Sequence, residues 1–346
     1  MHPPPRPCAP RSATRVGLTS RVARTAVVVL LSGTTGCSVV AAAGPDTVNL
    51  VAYSTPQGAF TEIAAEFVRT SPGRDARLTQ SYGASGAQSR AVIAGQPADV
   101  VEFSIQTDMD GLVRAGLVAP DWNRDAHHGM LTNSVVVLVV REGNPKNIHT
   151  WSDLVRPGVR VVTPNPFSSG SARWNLMAAY GAQLARGRSP AQALDFVRAL
   201  LGNTVAQPES GNKATAAFVT GTGDVLIGYE NEAIEAERAG QPVDHVIPDE
   251  TLLVENPVAV TTNSTNPELA GRFLTFLRTD TAQRIFAEHG YRPVVPSALD
   301  RTRFPTPAKV FTIDDLGGWP AVAEEFFDAR TGSITRIEND LGVGGG

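Results

Sequence analysis

Three short segments share a composition of glycine, serine and asparagine: Gly83-Ala84-Ser85-Gly86, Ser168-Ser169-Gly170-Ser171 and Ser210-Gly211-Asn212. Each stands between an extended stretch and a helical one. The first N–H groups of a helix have no partner inside it and lie at the positive end of its dipole. Small residues there let a ligand approach the backbone, so each segment can offer several free donors to an anion. Serine, glycine and asparagine are also favoured N-caps, which accounts for any one of the segments taken alone. Three of them in one chain of alternating strands and helices point to a shared anion cleft, because ligands gather at the carboxyl ends of the strands in such sheets.

Other chemistry is weaker. His127 and His128 are adjacent, cannot share a helix face, and have no cysteine or patterned carboxylates beside them as metal ligands would require. Neither a metal nor another cofactor is expected. A serine hydrolase built on Ser85 is the competing class, but Gly83-Ala84-Ser85-Gly86-Ala87 lacks the G-x-S-x-G spacing and no histidine is tied to it. Asp99, Asp224, Glu230 and Glu232 read as turn or cap residues, with no spacing that predicts a catalytic dyad.

The elements that must position the turns follow from apolar patterning. Val48–Tyr53 reads as a first strand, followed by a helix over 59–69. The order repeats with an extended 76–81, a helix over 87–94 and a buried strand over 98–102. The six apolar residues Val135–Val140 form a strand that carries the chain from one lobe to another, and 258–262 brings it back. Strands at 159–163, 204–206 and 224–229 precede helices from Ser171, Lys213 and Glu232, and two helices over 267–278 and 281–289 follow. This alternation predicts an α/β fold with parallel pairing, and 346 residues suffice for two compact domains.

The formal charge of −4 hides an asymmetry. The first 36 residues hold five arginines and no acid, so the rest carries 25 basic against 34 acidic residues, a balance of −9. No nucleic-acid partner is expected of so acidic a body. The arginines run to Arg24, a short apolar run spans 26–31, and small residues precede Cys37, the three parts of an export signal. Cys8 lies within it, so Cys37 is the one cysteine left after processing. Its setting resembles a lipobox, with Thr34 where an aliphatic residue is usual, so cleavage by the ordinary secretory peptidase is the alternative.

Several stretches resemble, in matching order, the sulfate- and thiosulfate-binding receptors of ABC importers, in an actinobacterial-like lipoprotein form. They are ADVV at 98–101, GNPKNIHTWSDLVRPGV at 143–159, TPNPFSSGSARWN at 163–175, GDVLIGYENEA at 223–233, YRP at 291–293 and FTIDDL at 311–316. The resemblance implies a two-lobed α/β fold of the periplasmic-binding-protein type II class, hinged around a ligand cleft. It implies a monomeric receptor that performs no catalysis, captures sulfate or thiosulfate and passes it to a membrane permease with its ATPase. Molybdate or phosphate is the alternative ligand. The site it implies comprises Ser54 through its N–H, Ser85, Ser169, Gly170, Ser171 (the family commonly has glycine), Asn212 through its N–H, and Tyr229 in place of a tryptophan. The organisation expected is a signal peptide over 1–36, a lipid-anchor spacer over 37–45 with Cys37 acylated at the outer membrane face, lobe 1 over 46–130 and 261–340, and lobe 2 over 131–260.

Overall fold

The computed structural model describes residues 46–343. The signal segment, Cys37, the spacer before 46 and the last three glycines lie outside the described residues. The chain runs β1 (Thr47–Tyr53), α1 (Gln57–Phe67), β2 (Arg77–Gly83), α2 (Ser85–Ile93), β3 (Val100–Glu102), α3 (Gln106–Arg114) and β4 (Met130–Arg141). It continues through β5 (Val161–Val162), α4 (Gly170–Ala185), α5 (Pro190–Gly202), β6 (Thr204–Ala206), α6 (Gly211–Val219), β7 (Val225–Tyr229), α7 (Glu230–Arg238), β8 (Val243–Val246) and β9 (Glu250–Val260). Last come α8 (Pro267–Leu277), α9 (Asp280–Glu288), β10 (Arg292–Pro293), β11 (Lys309–Phe311), α10 (Gly318–Phe327) and α11 (Ser333–Leu341).

The strands pair in the order β2-β1-β3-β9-β4-β7-β5-β6. β1 is parallel to β2 and β3, and β5 is parallel to β6 and β7, so each end of this path is a parallel unit. The two long strands join them. β9 pairs antiparallel with β3 through Val258–Val260 and with the first half of β4 through Leu253–Pro257. The second half of β4 pairs with β7 on one edge and β8 on the other. Val135–Val140 is buried on both faces, which is why this stretch is uninterrupted apolar sequence where a half-exposed strand would alternate.

Helix α1 buries Ala59, Phe60, Ile63 and Phe67, one stripe of a 3.6-residue period, against Phe273, Phe276 and Phe286 of α8 and α9. α8 starts cleanly because Asn266 Oδ1 accepts from Leu269 N and Pro267 needs no donor there. At the other end, Trp174, Met177, Val197, Leu200 and Ile227 share one cluster. The tail departs from the sequence expectation that it would complete the first lobe. Phe311, Trp319, Val322, Phe326 and Ile334 join the Trp174 cluster, Trp319 meets Trp174 edge-on at 4.5 Å, and β11 pairs with the first residues of β9. α3 and α5 also escaped the sequence reading, and β9 starts well before the expected 258. α3 buries only Met109 and Leu112, too short a stripe to register as a period.

One buried ion pair ties β10 to the start of α7. Arg292 Nε and Nη2 donate to the two carboxylate oxygens of Glu230 at 2.6 and 2.9 Å, and Glu230 is fully enclosed. Removing one partner of such a pair leaves an uncompensated charge inside the protein. Arg292→Ala is therefore expected to lower unfolding free energy by about 3 to 5 kcal/mol, read as the urea midpoint of the processed chain.

Candidate functional site

Each of the three turns opens a helix, and the turns come together. α2 begins at Ser85 after an extended Ala84, and no side chain caps its first N–H groups. α4 begins at Gly170 after an extended Ser169 and is likewise uncapped by any side chain. α6 begins at Gly211, with Ser210 Oγ accepting from Lys213 N at 3.3 Å and leaving the earlier N–H groups free of it. A Cβ on Gly86 would come within 3.2 Å of Ser168 O, and one on Gly211 within 3.2 Å of Ser171 Oγ. The starts of α2 and α6 thus flank the start of α4.

Ser104, two residues past β3, joins these groups and is not among the residues expected from sequence. Its N–H donates to Ser85 Oγ at 3.1 Å, its carbonyl accepts from Trp174 Nε1 at 2.6 Å, and its hydroxyl sits where a Cβ on Gly170 would collide with it. Ser85 Oγ donates in turn to Asp108 Oδ2 at 2.6 Å. Burial pushes the Asp108 carboxyl up, against the pull of that bond and of the Arg173 and Arg90 charges. The Ser85 hydroxyl proton is therefore committed to Asp108, and the donor it offers a ligand is its backbone N–H. The hydrogen-bond partners of Ser85 Oγ are thus Asp108 and Ser104 N.

Ser169 Oγ and Ser171 Oγ lie 2.7 Å apart, both buried. The loop before them is braced by Arg173 Nε, which donates to Pro166 O at 2.9 Å, and by Ser168 Oγ, which donates to Glu209 O at 2.8 Å. Tyr229 ends β7 with its side chain fully enclosed. Its hydroxyl faces Ser104 without a well-formed hydrogen bond, and both hydroxyls lack a partner within the protein. Burial first, and the nearby Glu232 charge second, push the Tyr229 phenol well up, so it keeps its proton and can donate.

Beside this buried group runs an open cleft of about 820 Å³. Of the seven expected residues Ser54 and Asn212 line it, together with Thr55, Thr215, Asn231, Glu232 and Tyr291, while Ser85, Ser169, Gly170, Ser171 and Tyr229 are buried behind. Thr215 Oγ1 and Asn231 Oδ1 are enclosed without a protein partner. Glu232 connects the two zones. Its Oε2 accepts from Tyr229 N at 3.0 Å, its Oε1 accepts from Thr55 Oγ1 at 3.3 Å, and it occupies the space beside Gly211 that a Cβ would need. Burial raises its carboxyl to about 7 despite both bonds. Glu232 thus places an acceptor in the cleft wall.

A family model described as bacterial extracellular solute-binding protein matches residues 48–292. A sulfate-binding protein of Synechococcus elongatus is 40% identical over 324 residues, 90% of this chain and 93% of the relative. A thiosulfate-binding protein of Escherichia coli is 34% identical over 275 residues, 76% of this chain and 81% of the relative. Among solved structures, the sulfate-binding protein SubI from Mycobacterium tuberculosis superposes with a TM-score of 0.79 at 48% identity, over 82% of this chain and 99% of that one.

The Glu232 environment makes stability depend on pH with a definite sign. The unfolded chain loses this proton near about 4.5 and the folded chain near about 7, so the stabilisation is complete below the first value and is lost as pH rises through the second. Glu232→Gln is expected to flatten that decline by up to about 3 kcal/mol, seen as a smaller fall of the urea midpoint between acid and neutral pH than in the parent chain.

Proposed function

We propose that this chain, which belongs to the bacterial extracellular solute-binding proteins and within them to the sulfate-binding group, is an exported receptor that captures sulfate and delivers it to an ABC importer. It is a binding protein and not an enzyme. The observation that carries the reading is the meeting of three helix starts, two of them without side-chain caps, beside the unpaired hydroxyls of Tyr229 and Ser104. A dianion in that space needs no buried counter-ion, because N–H dipoles and hydroxyls replace its hydration shell in fixed positions.

The proposed contacts are the backbone N–H groups of Ser54, Ser85, Gly170, Ser171 and Asn212 and the hydroxyls of Ser169, Ser171 and Tyr229. Sulfate is unprotonated at neutral pH and is satisfied by donors, whereas phosphate keeps a proton that seeks an acceptor. Thiosulfate is the second ligand to weigh, since it offers the same charge and tetrahedral shape with one larger atom. Lobe 1 comprises residues 46–130 and the stretch from 261 through β10, and lobe 2 comprises 131–260. The tail from Lys309 is assigned to lobe 2, whose core its side chains share. The receptor acts as a monomer, with the permease and its ATPase as partners, and Cys37 is its acylated first residue.

Calorimetry with sulfate, thiosulfate, molybdate and phosphate is expected to rank sulfate first, and preference for phosphate would overturn the ligand assignment. Tyr229→Phe separates a donor from a wall. Losing a charge-assisted bond should cost about 1 to 3 kcal/mol of sulfate binding, while the ligand-free chain keeps or gains stability because an enclosed unpaired hydroxyl is removed. Unchanged affinity would leave the phenol as packing alone. For the anchor, mass spectrometry of the membrane fraction is expected to show a diacylglyceryl Cys37 as the first residue. An unlipidated start beyond Cys37 would make the receptor freely secreted, and an intact Met1 would refute export.

A further inference from the structure

His289 follows α9 and is 7% exposed, at the edge of the cleft that α1, α6 and α7 line. Its Nε2 lies 3.0 Å from Glu62 Oε1 on α1, and its Nδ1 lies 3.1 Å from Glu235 Oε2 on α7. Ionised carboxylates only accept, so the two contacts are both hydrogen bonds only when both ring nitrogens carry protons. The neutral ring has a single N–H and must face one carboxylate with a lone pair. We infer that His289 is a positioning residue for ligand retention: as an imidazolium it clasps α1 to α7 across the cleft over the bound anion, and as a neutral imidazole it lets them part.

The surroundings fit a clasp more than a simple packing contact. Gly58 lets α1 lie against the ring, since a Cβ there would come within 3.0 Å of Cε1. Glu62 and Glu235 are both about half exposed, so neither carboxylate is held by burial and each is free to leave the ring. Arg238 on α7 stands 3.7 Å from Glu235 and donates to Glu288 O, where Arg303 Nη2 also donates at 2.9 Å. Arg238 alone links the end of α9 to α7, through a half-exposed side chain, and Arg303, from the segment after β10, meets the same carbonyl. Tyr291 is held protonated by burial and adds no charge. Glu232, further in along α7, titrates near about 7 and acts in the same pH range, so only a comparison of variants isolates the ring.

The inference rests on the anion-receptor reading for its readout, because an enclosed anion leaves only when the cleft opens. Release of radiolabelled sulfate into excess unlabelled sulfate is followed at acid pH, near about 5.5, and at about 8. The parent chain is expected to release sulfate roughly fivefold more slowly at the lower pH, the scale of one partly exposed charged pair. His289→Gln and Glu235→Gln should each release it at the faster rate at both pH values. A parent rate that does not change with pH, or variants that keep the parent's pH ratio, would overturn the clasp while the receptor reading stands. A variant that merely melts earlier but keeps that ratio counts against the clasp as well. Sulfate bound at no pH would remove the receptor reading and the clasp together.

Discussion

A doubly charged anion leaves water only if every hydrogen bond it had there is replaced, and the cost of failing is larger than any single contact can repay. The proposed site meets that requirement with backbone. Helix starts carry donors that the helix cannot use, and a parallel strand-helix unit delivers one at the carboxyl end of each strand. Several such units must then converge, so the two parallel units at either end of the strand path have to face one another. The long strands β4 and β9, paired through Met130–Val135 and Leu253–Pro257, hold them in that relation.

Convergence leaves little room, and the residue types at the turns follow from it. Gly170 is a glycine because Ser104 and Ile105 of the neighbouring unit press on it, and Gly211 because the Glu232 carboxyl does. The sequence reading took these glycines as openings for a ligand. In the structure their missing side chains are filled by protein, and the closeness of the units is what exposes the adjacent N–H groups to a common point. Ser171 fits the same logic. Its hydroxyl bonds Ser169 Oγ and abuts Gly211, so a serine where the family commonly has glycine adds a polar contact between the starts of α4 and α6 without blocking the backbone.

What could be read from sequence was local. The six-residue run Val135–Val140 announced a strand, and turn composition announced the starts of α2, α4 and α6, because both signals lie within a few consecutive residues. Ser104 was missed because it gains meaning only through Ser85, Gly170 and Trp174, which are distant in sequence, although its place just after a buried strand matches that of Ser54 after β1. Glu232 was read as a cap, and it is one, accepting from Tyr229 N. Its second role as part of the cleft wall depends on Thr55 and Gly211, from other elements. The packing of the tail on the Trp174 cluster was not legible for the same reason. The helical stripe of Trp319, Val322 and Phe326 states that a face is buried, and nothing in the stripe states against what.

Glu232 poses a physical question that the helix starts alone do not. A carboxylate beside an anion site repels the ligand, yet this one is enclosed, receives two hydrogen bonds and still holds its proton up to about 7 because burial dominates. An incoming dianion adds negative charge nearby and favours the protonated form further. Protonated, the group keeps one oxygen to accept from Tyr229 N and gains an O–H that can donate. In the proposed site, protonation of Glu232 as the anion enters would make the lining more uniformly a donor surface. The same carboxyl, ionised, would serve the proton of a hydrogen phosphate. At the proposed site, discrimination between the two oxyanions would be set by which partner keeps a proton, and the surrounding burial would bias that choice towards the carboxyl.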